Sequence, residues 1–160
     1  ESAIRIISKV GDLNNPADRD HCLQYMVAIG LLKGSLVAED YEDEVAKDPK
    51  IDELREKMII KEDKRYSKEY LEADKRSISN RIQIHFNDGT STDEVEVEYP
   101  IGHKRRRKEG IPILEKKFKD NLAITYSNEV SEKIFELCMN QTELEKTSVI
   151  DFQSLFAKIP

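Results

Sequence analysis

The segment RIQIHFNDGTSTDEVEVEYP, residues 81 to 100, leaves the chain little choice of local structure. Ile82, Ile84 and Phe86 alternate with polar residues, Asp88-Gly89 supplies a tight turn, and Val95, Val97 and Tyr99 alternate with Glu94, Glu96 and Glu98. Period-two alternation on both sides of a turn dipeptide predicts an antiparallel hairpin with one buried face.

The flanking sequence reads mostly as helix. Asn15-Pro16 is a helix start, with Asn15 as cap, Pro16 in the first position and Asp18 beside the exposed amides, and the helix should run to about Lys33 and stop at Gly34. A second helix fits Ala38 to Met58, with a break at Asp48-Pro49 because proline disfavours helix at the residue before it. Residues 59 to 80 are charged, with Tyr66, Tyr70 and Leu71 as anchors after Ile59 and Ile60, and predict a short strand and then a loop. Beyond the hairpin, Pro112 opens a helix to about Thr125, another covers Asn128 to Met139, and Ser148 with Asp151 caps a last one carrying Ile150, Leu155 and Phe156.

At the start, Ile4, Ile6, Ile7 and Val10 read as a strand, and the chain opens inside that run at Glu1 without an initiator methionine, so a fragment is expected. The class is therefore α+β: a small antiparallel sheet, formed by the hairpin 81–99 and the N-terminal strand, packed with helices and followed by C-terminal helices.

The length of 160 residues, 38% of them hydrophobic, suits one ordinary domain or one lobe of a larger protein. No basic region followed by an apolar run opens the chain and no apolar stretch approaches a membrane span, so a soluble protein without membrane contacts is expected. Cys22 and Cys138 show no spacing for a disulfide framework or a zinc or cluster site, which suits a reducing compartment.

The net charge of −6 hides an asymmetry. Lys104, Arg105, Arg106, Arg107, Lys108, Lys116, Lys117 and Lys119 face only Glu109 and Glu115 within residues 101 to 119, so this segment is +6 and the remainder −12. An acidic body with one basic segment argues for a localised anion site and against general nucleic-acid binding.

The helix from Pro16 carries a second signal. Leu23, Met26, Val27, Ile29, Leu31 and Leu32 surround most of its circumference, yet Asp18, His21, Gln24 and Tyr25, beside small Ala28, fall on one stripe, with Arg19 off it. Each group could satisfy a buried partner, His21 a carbonyl, Gln24 an amide and Tyr25 a carboxylate, as interior polar residues normally do. Four on one stripe could instead line a polar cavity, and periodicity alone leaves both readings open.

The stretches NPADRDHCLQYMVAIGLL, AEDYEDEVAKDPKIDELREKM and DGTSTDEVEVEYPIGHKRRRKEGIPILEKKFKDNL together resemble the C-terminal region of the MmgE/PrpD superfamily, over about Ile4 to Leu137. The resemblance implies a two-domain enzyme in which a large all-helical domain is joined to a smaller α+β domain that closes over the substrate. Residues 1–125 would be that lid-type domain and 126–160 the C-terminal helices, packed back on the helical domain, which is absent here. It further implies removal of water from 2-methylcitrate to give 2-methyl-cis-aconitate in propionate breakdown; relatives decarboxylate or epimerise similar polycarboxylates. The cytoplasm, or the mitochondrial matrix in a eukaryote, is the implied compartment, and a homodimer of the full-length protein is left open.

Eliminating water from a tricarboxylate needs a base for the proton beside a carboxylate, cations or donors for the charge that builds up, and an acid for the leaving hydroxyl. His21 and Tyr25 are the candidate proton carriers, Gln24 can orient a carboxylate, and Arg19 could clamp one bidentately, with a principal base expected in the absent domain. The loop YPIGHKRRRKEG admits three readings: a solvated basic turn, a nucleic-acid or nuclear-localisation patch lacking the aromatic partners it would need, or a segment in which Gly102, His103, Lys104, Arg105 and Arg106 face the substrate or the helical domain. The resemblance favours the third.

His21, Cys22, His85, His103 and Cys138 show no ligand spacing, so no metal site and no cofactor are expected. The alternative of another class is a non-catalytic interaction module whose basic loop docks an acidic partner.

Overall fold

The computed structural model describes residues 2 to 157. They divide into two compact units, one up to Asn80 and the other from Arg81 onward.

The first unit opens with helix α1, Ser2–Ile7, where a strand was expected. Ile4 and Ile7, one turn apart, are half-buried while Ile6 and Val10 are exposed, so the apolar residues follow helical rather than alternating spacing. Next come α2, Pro16–Asp20, and α3, Leu23–Lys33, in place of one continuous helix. The Asn15 side chain accepts from the Asp18 amide at 2.9 Å, as its sequence position demands, and Gly34 closes α3 at a φ of +74° that favours glycine. The break at His21 and Cys22 turns the start of α3 inward: Gln24 Nε2 donates to Ser8 Oγ at 3.1 Å, and the Lys9 amide donates to Gln24 Oε1 at 3.3 Å.

A 3-10 turn at Ala38–Tyr41 precedes α4, Asp43–Ala46, and α5, Pro49–Lys57, so the expected second helix is broken at Asp48-Pro49 and once more before it. The core consists of Cys22, Tyr25, Ala28, Ile29 and Ile51, with Leu13, Tyr41, Val45, Leu54 and Met58 packed against them. Burying an isoleucine such as Ile29 or Ile51 contributes roughly 1.5–3 kcal/mol, and these two join α3 to α5. Residues 59 to 80 hold α6, Lys64–Leu71, where a strand and loop were expected. Asp63, one charge among many, is its cap and accepts from the Arg65 amide at 2.8 Å.

In the second unit the hairpin forms as expected between β1, Asn80–Ile82, and β2, Val95–Val97, with Gly89 at a φ of +88° in the turn and an Arg81–Glu94 pair at 3.2 Å across it. The sheet among the described residues is this pair alone, without the N-terminal strand. The expected buried face is open, with Phe86 52% and Val95 56% exposed. Helix α7, Arg107–Thr125, begins ahead of Pro112, whose ring sits inside it. It packs on α8, Asn128–Met139, through Phe118 and Phe135, 5.9 Å apart, and through buried Leu122 and Ile134. Helices α9, Gln141–Lys146, and α10, Val149–Ser154, follow, and Tyr126 donates its hydroxyl to the Phe156 carbonyl at 3.1 Å.

Candidate functional site

The candidate residues fall into two groups, one in each unit. In the first, Arg19 is only 4% exposed. Its guanidinium donates to the Tyr41 carbonyl at 2.7 Å and to the Leu13 carbonyl at 3.4 Å, and pairs with Asp43 at 2.7 Å. Tyr25 is 2% exposed and donates its hydroxyl to the Asp40 carbonyl at 2.7 Å. Burial pushes its pKa above the ordinary value, while Arg19 pulls the other way.

The break between α2 and α3 removes His21 from the stripe and leaves its ring exposed beside the Asp20 carboxylate, which Nδ1 contacts. A carboxylate only accepts, so the neutral ring donates from Nδ1 and presents a lone pair at Nε2. The inward groups thus meet protein partners, and His21 faces outward.

Asp40 completes the buried set. Its carboxylate accepts from Lys33 Nζ at 2.5 Å and from the Val37 amide at 2.8 Å. Burial raises its pKa, but the Lys33 and Val37 contacts outweigh that and hold it below the usual carboxylate range. Folding therefore gains from the ionised form above the ordinary carboxylate pKa and loses that gain as pH falls through the lowered one.

In the second unit, the turn from Tyr99 to Gly110 gathers the basic candidates. Pro100 and His103 carbonyls accept from the His103 and Arg106 amides, both at 2.8 Å. Arg106 donates to the Tyr99 carbonyl at 3.0 Å and grips Glu109 through two bonds, of 3.3 and 2.8 Å. Its bond to Arg106 holds the Glu109 carboxyl low. Arg106 is thus committed to shaping the turn. The Arg105 guanidinium lies over the Tyr99 ring at 5.1 Å, the His103 ring packs on the same tyrosine at 4.6 Å, and Lys104 is exposed.

Gly102 sits open at the apex of the turn, with nothing near its Cα that a side chain would meet. Gly110 is the contrary case: a Cβ there would lie 2.4 Å from the Ile101 carbonyl oxygen. Only glycine lets the start of α7 come this close to the turn.

A family model for the MmgE/PrpD C-terminal domain matches residues 1–141. The chain belongs to this family. Among curated relatives of this MmgE/PrpD domain, the 2-methylcitrate dehydratase of Escherichia coli K12 is 52% identical over 98% of the chain and 32% of the relative. That of Cupriavidus necator is 48% identical with the same coverage, and the mitochondrial 2-methylcitrate dehydratase of Yarrowia lipolytica is 51% identical over 99% of the chain and 30% of the relative. The domain spans about a third of the length of these relatives.

Among the residues of the two groups that escaped the sequence reading are Asp20, Asp40 and Gly110. Asp20 is adjacent to His21, and such a neighbour is visible in the sequence; Gly110 gives no sign beyond being a glycine within a helix. Among the described residues no group of three or more His, Cys, Asp or Glu could hold a metal ion, and no helix is long and apolar enough to cross a membrane.

Proposed function

We propose that this domain is the substrate-binding lid of a 2-methylcitrate dehydratase, which removes water from 2-methylcitrate to give 2-methyl-cis-aconitate in propionate breakdown. The observation that carries the reading is about 50% identity to enzymes of that name, sustained over nearly the whole chain. The remaining two thirds of such an enzyme would supply a helical domain on which the C-terminal helices pack. The compartment would be the cytoplasm or the mitochondrial matrix.

The chemistry asks for few parts. A base takes the proton beside a carboxylate, its electron pair forms the double bond, and the hydroxyl leaves as water with a proton from an acid. His21 is a proton carrier suited to accepting, since Asp20 holds Nδ1 and leaves the Nε2 lone pair on an exposed ring. Tyr25 is the candidate acid, and it serves only if its hydroxyl exchanges the Asp40 carbonyl for the substrate. Lys104 and Arg105 would supply positive potential for a trianion, an effect that needs no direct contact.

The test is formation of the unsaturated product, followed by ultraviolet absorbance, with the full-length protein and 2-methylcitrate. Turnover by the full-length protein, and none by the isolated chain, is expected. A full-length protein that leaves 2-methylcitrate intact but decarboxylates or epimerises another polycarboxylate would overturn it, as would inactivity on all of them.

A further inference from the structure

The two histidines of the candidate groups are held through the same ring atom by partners of opposite character. At His21, Nδ1 faces a carboxylate, which accepts. At His103, Nδ1 accepts from the Arg105 backbone amide at 3.2 Å, and an amide N–H can only donate. The Nδ1 lone pair of His103 is therefore occupied, and a neutral ring carries its proton on Nε2.

The rest of the turn keeps this ring in place. Tyr99 packs against one side at 4.6 Å, the His103 amide and carbonyl are both bonded within the turn, and Gly110 lets the Ile101 carbonyl close down on α7. No described residue offers Nε2 a partner. Lys104 and Arg105 follow directly in sequence, so an oxygen bearing negative charge is the ligand atom this environment favours.

We propose that His103 is a hydrogen-bond donor of fixed tautomer, contacting a carboxylate oxygen of the substrate through Nε2, and that it does not accept the substrate proton. The proposal rests on the polycarboxylate reading above and assigns within it a division of labour: His21 presents a lone pair, His103 presents an N–H. No proton is transferred at His103. Donating outright would leave an imidazolate, so its part is binding and orientation.

Two variants of the full-length enzyme separate this role from a purely structural one. In His103→Asn, the short amide oxygen can still cap the turn, since asparagine is among the best caps, but nothing reaches the position of Nε2. In His103→Gln, the longer amide brings an N–H near that position and gives up the cap. The expectation is that His103→Asn melts within a few degrees of the parent and raises KM by about tenfold or more, the worth of a hydrogen bond to a charged group. His103→Gln should melt earlier and keep KM within a few-fold of the parent. A wild-type KM in His103→Asn would overturn the proposal, as would a collapse of kcat at unchanged KM in both variants. The tautomer has its own readout: 15N NMR of histidine-labelled full-length protein should show His103 protonated at Nε2, and protonation at Nδ1 would overturn the assignment whether or not 2-methylcitrate is turned over.

Discussion

Polar groups around α3 and polar groups in the turn 99–110 are held in opposite ways. Arg19, Gln24, Tyr25 and Asp40 are all buried, and the side chain of each meets a partner inside the first unit: Tyr41 and Leu13 carbonyls, Ser8, the Asp40 carbonyl, Lys33. In the turn, Arg106 serves Tyr99 and Glu109, Arg105 lies over the Tyr99 ring, and Lys104 and Arg105 are both solvent-exposed neighbours in sequence. An unpaired buried polar group costs roughly 1–3 kcal/mol, so the first arrangement is what folding alone requires. Adjacent exposed cations repel one another, and an anionic ligand relieves the repulsion. Stability accounts for the first set without a ligand; the proposed function asks the second to meet one.

The sharpest way to break this contrast is Arg19→Met in the full-length protein. Methionine fills the volume but leaves the Tyr41 and Leu13 carbonyls without a donor, and a loss of about 3 kcal/mol or more is expected from that alone. Asp43, 71% exposed, contributes little to the total. Denaturant unfolding measures the loss. A variant as stable as the parent would mean that Arg19 is held in reserve for something else.

Tyr25→Phe should cost far less stability, about 0.5–1.5 kcal/mol, because one hydrogen bond goes and ring packing stays. If the hydroxyl exchanges Asp40 for substrate and acts as the acid, kcat should fall by roughly a hundredfold or more. Melting and turnover are measured on the same preparation. Normal turnover per folded molecule, with the stability loss, would assign Tyr25 to the scaffold.

The caps and turns were legible in the sequence because each rests on neighbouring residues: Asn15-Pro16, Asp48-Pro49, Asp88-Gly89 and Ser148 all stand where expected. The N-terminal strand was misread because Ile4, Ile6 and Ile7 satisfy two spacings, and burial of Ile4 and Ile7 selects the helical one. Helix α6 was missed because its apolar content is small and its start rests on one aspartate among many charges. The stripe on α3 was legible as unusual, but its partners are Ser8 and the Asp40 carbonyl, distant in sequence and found by no periodicity. For the same reason the break that turns His21 outward could not be read from the helix alone. The hairpin showed its alternation correctly, yet alternation reports which face is apolar and not what covers it.

That the turn is what an anionic substrate meets is tested most directly by KM for 2-methylcitrate across a range of salt, in full-length protein and in Lys104→Ala/Arg105→Ala. The screening length is about 8 to 10 Å at ordinary ionic strength and about 3 Å at 1 M. The double variant should therefore show a KM several-fold above the parent at low salt, with the gap closing as salt rises and kcat little changed. Equal KM values for the two proteins at both low and high salt would contradict the account and leave the basic segment as a solvated turn.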